Sequence, residues 1–283
     1  MGEGGPLFGV SLLRVHPQLW REVAVAAEDL GYESIWMSDH LVLPAALDKA
    51  AYPDEELPIH PGTPVFDVMV HLAALAAVTT RLRLGTFVFQ LALRPPFVAA
   101  RAVATLDVIS GGRVELGVGA GWSRAEWQAC GVEFAGRGRR LDEALEVCRR
   151  LWTEEVVEHH GEFYDFPPVM FEPKPVQRPH PPLHIGGESP AAVRRAVRAG
   201  AWIGMHHTPA TAAAAATRIR AAAAAEGADS PQVTVAAEPG TDIDTDGWRA
   251  AGVDRVIVAP WDRSRDALDG LRRFSGRAGL AQA

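Results

Sequence analysis

The chain has 283 residues, with 28 Lys and Arg against 35 Asp and Glu, a formal charge of −7. That length allows one large domain or two small ones, and the acidic balance argues against nucleic acid as a partner. The first residues, MGEGGPLFGV, lack a basic run before an apolar core, and no apolar run approaches the roughly 20 residues of a membrane span, so a cytoplasmic protein is expected. The two cysteines, Cys130 and Cys148, have no metal-ligand spacing and suit a reducing compartment.

Leu7–Leu12 reads as a short apolar strand, and residues 19–30 place Leu19, Val23, Ala26, Ala27 and Leu30 on one helical face. A second strand, Ser34–Met37, ends in Ser38-Asp39-His40. Residues 44–64 are rich in proline and acid and too long for a mere connection, which suggests a functional loop. A helix over 66–78 leads to a third strand, Leu82–Phe89. Pro95 and Pro96 open a helix that Ser110-Gly111-Gly112 closes. Arg113–Val118 is the fourth strand and runs into Gly119-Ala120-Gly121-Trp122.

A helix over 138–152 precedes a proline-rich excursion, 153–182, in which a hairpin fits Val156–Tyr164. Leu183–Ile185 is the fifth strand. It meets Gly186-Gly187-Glu188-Ser189, where Ser189 is a good N-cap and Pro190 suits the first helical position. Bare backbone followed by free N–H groups and the positive end of a helix suits a phosphate, although a plain strand-to-helix turn has the same pattern. Ala201–Met205, before His206-His207, is the sixth strand, and the alanine-rich 210–225 should be helical. Val233–Ala236 and Arg255–Ala259 are the last strands, and a helix spans 264–274. Residues 237–250 carry little helical signal.

Eight short apolar strands alternating with helices predict a single-domain α/β (β/α)8 barrel over 1–283, with long insertions after strands two and four. An open doubly wound sheet is the alternative, but Gly117-Val118-Gly119-Ala120-Gly121 does not match the dinucleotide fingerprint. In a barrel, chemistry gathers where strands end. There, His40 is the best candidate for proton transfer, since histidine titrates near neutrality; a backbone-capping histidine is the plainer reading. Asp39 is adjacent, but neighbours along a strand point apart. For the same reason His206 and His207 cannot easily share one metal ion, and no catalytic metal is expected. Trp36, Trp122, Trp127 and Trp202 suit core filling, with Trp122 the one placed for a pocket. Glu126 either faces that pocket or simply sits in a favourable first helical turn.

Taken together, four stretches resemble the bacterial luciferase-like superfamily of flavin barrels, and within it the branch that uses the deazaflavin coenzyme F420. They are residues 24–44, 81–122, the run from GEFYDFPPV to Pro190, and 250–258. The resemblance implies a flat redox ring over the C-terminal strand ends, beside Asp39 and His40. It implies a bulge, often with a non-prolyl cis peptide, at Thr86-Phe87-Val88 behind the ring. Gly119 and Trp122 would border the ring, and Gly186, Gly187, Glu188 and Ser189 would hold the phosphate. Trp122 and Pro44 depart from the pattern of the sugar-phosphate-oxidising members, which counts against that reaction.

The function implied is hydride transfer between F420 and a small organic substrate, with reduction of an activated C=C or C=N bond preferred. His40 would be the proton-handling residue, and loops 44–64 and 153–182 would form a lid and pocket wall on the barrel mouth. A monooxygenase using reduced FMN is the alternative, and a non-catalytic flavin-binding barrel a further one. The resemblance also implies a homodimer, with no membrane or nucleic-acid partner.

Overall fold

A computed structural model describes residues 5–13, 15–45 and 62–280; most of the expected lid, residues 46–61, lies outside them. The strands are β1 (Leu7–Ser11), β2 (Ser34–Met37), β3 (Arg83–Thr86), β4 (Val114–Val118), β5 (Val156–His160), β6 (Asp165–Met170), β7 (Leu183–Gly186), β8 (Ala201–His207), β9 (Gln232–Ala237) and β10 (Arg255–Val258). All but β5 and β6 close into a barrel of order β1-β10-β9-β8-β7-β4-β3-β2. Every pair in it is parallel, and β1 pairs with both β10 and β2, so no edge is left open. This is the expected (β/α)8 barrel.

The helices are α1 (Trp20–Asp29), α2 (Val68–Ala76), α3 (Pro96–Ser110), α4 (Arg124–Ala129), α5 (Arg137–Thr153), α6 (Pro190–Ala199), α7 (Pro209–Ala225), α8 (Thr245–Ala250) and α9 (Ala267–Ala278). Their ends obey the sequence signals. Pro96 opens α3 and Gly111, at φ 67°, ends it. Asp67, Ser189 and Thr208 cap α2, α6 and α7 with their side chains. Helix α8 corrects the reading of 237–250 as poorly helical: it is only six residues long, and its start is marked by Asp244, whose carboxylate accepts from the Gly247 amide. Strand β8 runs two residues past Met205, through a register shift between Gly204 and His207 and a left-handed His206 at φ 57°.

The 153–182 segment also needs correction. It comes after α5, which returns from the C-terminal to the N-terminal end of the barrel, so it leaves from the end opposite the mouth. The antiparallel hairpin β5–β6 lies along α5. The Glu143 carboxylate on α5 accepts from the amides of Glu162, Phe163 and Tyr164 and bonds His159, which ties the hairpin's tip near the start of α5. The chain then passes beneath the barrel. There Gln177 bonds Asp107, the Val114 carbonyl and Arg83. Only the tip rises toward the mouth, so the segment is not a wall across it.

Two layers fill the barrel. The lower one is ionic: Glu115 pairs with Arg83, His184 and Arg255, and Arg255 forks onto Glu33. The upper one is apolar, with Trp36, Ile203, Ala236 and Ile257 packed under Phe87 and Val88. The Trp36 ring stands edge-on to His184 and donates to Ser34 Oγ at 2.8 Å, which joins the layers. Gly85 makes room for it, because a Cβ there would overlap the indole.

Candidate active site

The mouth is built from the segments after β2, β3, β4 and β7. Asp39 and His40, next to each other after β2, find different partners, as alternation along an extended chain requires. Asp39 is buried, and its carboxylate accepts a fork from Arg94 at 2.7 and 2.9 Å and the Gln90 amide at 2.8 Å. It therefore anchors the segment after β3. His40 Nδ1 donates to Glu126 Oε2 at 2.9 Å, and the Leu41 amide donates to Glu126 Oε1 at 2.7 Å. The His40 side chain is 10 % exposed and that of Glu126 2 %.

Helix α4 holds Glu126 in place, since Ser123 Oγ accepts from the Glu126 amide at its start. A carboxylate fixed on Nδ1 selects the tautomer that leaves Nε2 as the working nitrogen, and it stabilises the imidazolium once a proton is taken. Trp122 stands edge-on to His40, with ring centroids 5.8 Å apart. Of the two readings open for Glu126, the structure selects the one facing this site.

Strand β3 stops at Thr86, earlier than the residue pattern suggests, because the chain bulges at Phe87–Val88, where the peptide bond is cis, before Phe89 bridges to Val118. Thr86 is buried and donates to the Gly117 carbonyl at 2.7 Å, so it belongs to the barrel wall. Phe87 and Val88 are half-buried and form the floor of the mouth. Gly119 and Gly186 lie against Val88, where a Cβ would come within 2.9 and 3.1 Å of its methyl groups.

Gly187 has φ 113°, which L-residues rarely adopt, and its carbonyl accepts from Trp202 Nε1 at 2.9 Å. Ser189 Oγ accepts from the Ala192 amide. Glu188 pairs with Arg218 of α7 and lies 3.6 Å from His207 Nε2. Burial works against its charge, but the nearby His207 ring and the hydrogen-bonded Arg218 outweigh that and hold the carboxyl below its ordinary range. The turn expected to hold a phosphate thus carries an acid already paired with Arg218 and set beside His207. No local pattern marks Arg94, Arg218 or His207 as partners. They stand 55, 30 and 19 positions from Asp39, Glu188 and Glu188, and only the barrel closure brings them in.

A family model described as luciferase-like monooxygenase matches residues 12–246. The chain belongs to the luciferase-like monooxygenase family. Within it, the chain is 42% identical over 183 residues to an uncharacterized protein of Mycobacterium tuberculosis, covering 64% of this chain and 63% of that one. The chain thus spans less than two thirds of the length of such curated relatives. It is 34% identical over 183 residues to the F420-dependent glucose-6-phosphate dehydrogenase of Amycolatopsis mediterranei, which is 63% of this chain and 50% of that one. It is 39% identical over 110 residues to the FMNH2-dependent dimethylsulfone monooxygenase of Pseudomonas putida, which is 38% of this chain and 30% of that one. In fold it is similar to the monooxygenase RslO1 from Streptomyces bottropensis, with TM-score 0.76 and 23% identity over 95% of this chain and 98% of that one. Relatives in this family therefore use F420 or FMN. Among the described residues no cluster of His, Cys, Asp and Glu is arranged to hold a metal ion, and no helix is long and apolar enough to cross a membrane.

Proposed function

We propose that the chain is an oxidoreductase that moves hydride between coenzyme F420 and a small organic substrate, with reduction of an activated C=C or C=N bond preferred. The observation that carries this reading is the His40–Glu126 pair, a largely enclosed histidine braced by a buried carboxylate beside an apolar floor. The residues at the mouth fit a flat cofactor with an anionic tail. Phe87 and Val88 offer an apolar surface, and the backbone at Gly119 and Gly186 is bare against it. The Gly187–Ser189 turn offers its backbone amides, and Ala191 adds one at the start of α6, where Pro190 has no N–H and the Ala192 amide is taken by Ser189 Oγ. Asp39 would serve the ring indirectly, by fixing Arg94 and the segment after β3.

Held over Phe87 and Val88, with its tail at the Gly187–Ser189 turn, reduced F420 would supply the hydride. His40 Nε2 hands a proton to the atom next to the carbon that receives the hydride, and Glu126 steadies the ring while its charge changes. Trp122 limits where the substrate can sit and keeps water from His40. The anion turn and the floor hold the reactants face to face, where positioning supplies much of the rate. Exposed Val70 on α2 and Val98 on α3 support a homodimer through that side.

A reduced-FMN monooxygenase is the second reading, supported by the Pseudomonas relative. The first is favoured by the Ser38-Asp39-His40 run and by the longer alignment with the F420-dependent relative. Anaerobic titration with each reduced cofactor, monitored by absorbance, separates them. We expect saturable binding of reduced F420 and its reoxidation by an electron-poor alkene or imine. Tight binding of reduced FMN with oxygen-dependent turnover, and no response to F420, would overturn the proposal.

Two substitutions probe the parts. Glu126→Gln keeps the size but offers one acceptor to two donors. The amide NH2 then faces Nδ1 and drives the proton to Nε2. Turnover should fall by about 10–100-fold with cofactor affinity kept, the size seen when a group that orients a histidine is lost. Gly187→Ala forces a side chain onto φ 113° and toward the Ala192 methyl, 3.2 Å away. It should cost about 1–3 kcal/mol of stability and weaken cofactor binding more than turnover, as read by thermal melts and titration.

A further inference from the structure

Arg124 opens α4 and Arg137 opens α5. Their guanidinium carbons lie 4.6 and 4.0 Å from the centroid of one ring, Phe134. Arg137 Nε also donates to the Gly121 carbonyl at 3.2 Å, which ties the pair to the segment after β4. Trp122, the next residue, borders His40. The two arginines therefore stand at the rim of the mouth.

Arg94, Arg139 and Arg195 nearby are neutralised by Asp39, Glu162 and Asp142, and Arg140 turns away to the Ala92 carbonyl and the rings of Phe163 and Tyr164. Arg124 and Arg137 meet no carboxylate within ion-pair distance among the described residues. The carboxylates closest in sequence are already in use. Glu126 serves His40 and Leu41, and Glu133 accepts from the Ala135 amide. Burial, and then repulsion from Arg124, push the Arg137 guanidinium below its ordinary value. In a chain of net charge −7, two like charges gathered on one ring with no carboxylate partner among the described residues are unusual. Packing on Phe134 positions both guanidinium groups, and with Arg137 Nε spent on the Gly121 carbonyl, the terminal nitrogens of Arg137 and the Arg124 fork remain to meet an oxyanion.

We propose that Arg124 and Arg137, held over Phe134, bind a carboxylate or phosphate of a ligand that occupies the barrel mouth. The inference rests on the mouth being the ligand site, and it holds whichever flavin fills it. The anion has two possible sources, the acidic tail of the cofactor or an acidic substrate.

The test is calorimetric titration of the full chain, Arg124→Gln/Arg137→Gln and Arg124→Lys/Arg137→Lys. Each is titrated with citrate, with F420, and with the same deazaflavin stripped of phosphate and tail. Circular dichroism checks folding; if the double glutamine variant is misfolded, Arg124→Gln alone carries the test. Citrate should bind the wild type in a salt-sensitive way and bind the glutamine variant at least about tenfold more weakly, the worth of one charged hydrogen bond. The lysine variant should recover part of the loss.

If F420 weakens in parallel and the stripped form does not, the cofactor's tail is the occupant. If F420 is unaffected while citrate weakens, the occupant is an acidic substrate. Equal citrate affinity in the wild type and the glutamine variant overturns the proposal. Failure of the wild type to bind either deazaflavin would instead defeat the cofactor reading, and the citrate titration would still decide the anion site.

Discussion

Replacing His40 with alanine is expected to lower turnover by about 10²–10⁴-fold, the usual worth of a placed acid or base. Cofactor affinity should change little, because the floor and the proposed phosphate turn at Gly187–Ser189 lie on other strands. The argument is geometric. Glu126 is buried and spends both oxygens on this one loop, on His40 Nδ1 and the Leu41 amide. A burial of that kind costs free energy unless the charge is paired. A histidine needed only to cap a strand end would not require it. Stopped-flow measurement of deazaflavin oxidation under single turnover separates proton transfer from binding. Wild-type rates in His40→Ala would leave a binding barrel without this chemistry, or a histidine that is a bystander.

The largest stability loss is expected from Glu115→Ala. The carboxylate sits inside the barrel among Arg83, His184 and Arg255. Removing it leaves several buried donors and positive charges facing one another, so unfolding free energy should drop by about 3–5 kcal/mol. Denaturant melts would measure the loss, and an unchanged midpoint would show the layer to be dispensable.

The same group gives a pH dependence. Burial alone would raise its pKa, but the hydrogen bond from His184 and the charges of His184, Arg255 and Arg83 hold it at about 2 instead of 4.5. A depressed carboxyl contributes stability that is complete above the unfolded value. That contribution should disappear as pH falls from about 4.5 to about 2, and Glu115→Ala should show a flatter acid limb. Glu28, held at about 2 despite its burial cost by the amides of Leu82, Arg81 and Thr80 and the Thr80 hydroxyl, adds to the acid limb of both proteins.

The barrel was legible because strand and helix alternate along the chain with caps at their joints: Pro96, Gly111 and Ser189 all act where the residue types indicate. What escaped had two physical causes. Short helices such as α8 bury one large side chain, Trp248, and give too few turns for a period to register. Direction was the other cause. The proline-rich run after α5 reads as a loop, yet only the return of the helix says from which end of the barrel it leaves. At the mouth, His40, Trp122 and Glu126 were visible as residue types, but their mutual contact was not. Asp39 was visible too, and its true partner, Arg94, lies across a loop that no local pattern spans.

Trp36, fully buried over Gly85 and edge-on to His184 of the ionic layer, fills the barrel interior beneath Val88. Whatever lies on Val88 is therefore beneath whatever reacts with it, and both share one doorway. Such a molecule should show compulsory-order kinetics: the deeper guest arrives first and departs last, and a surplus of the outer one traps it inside.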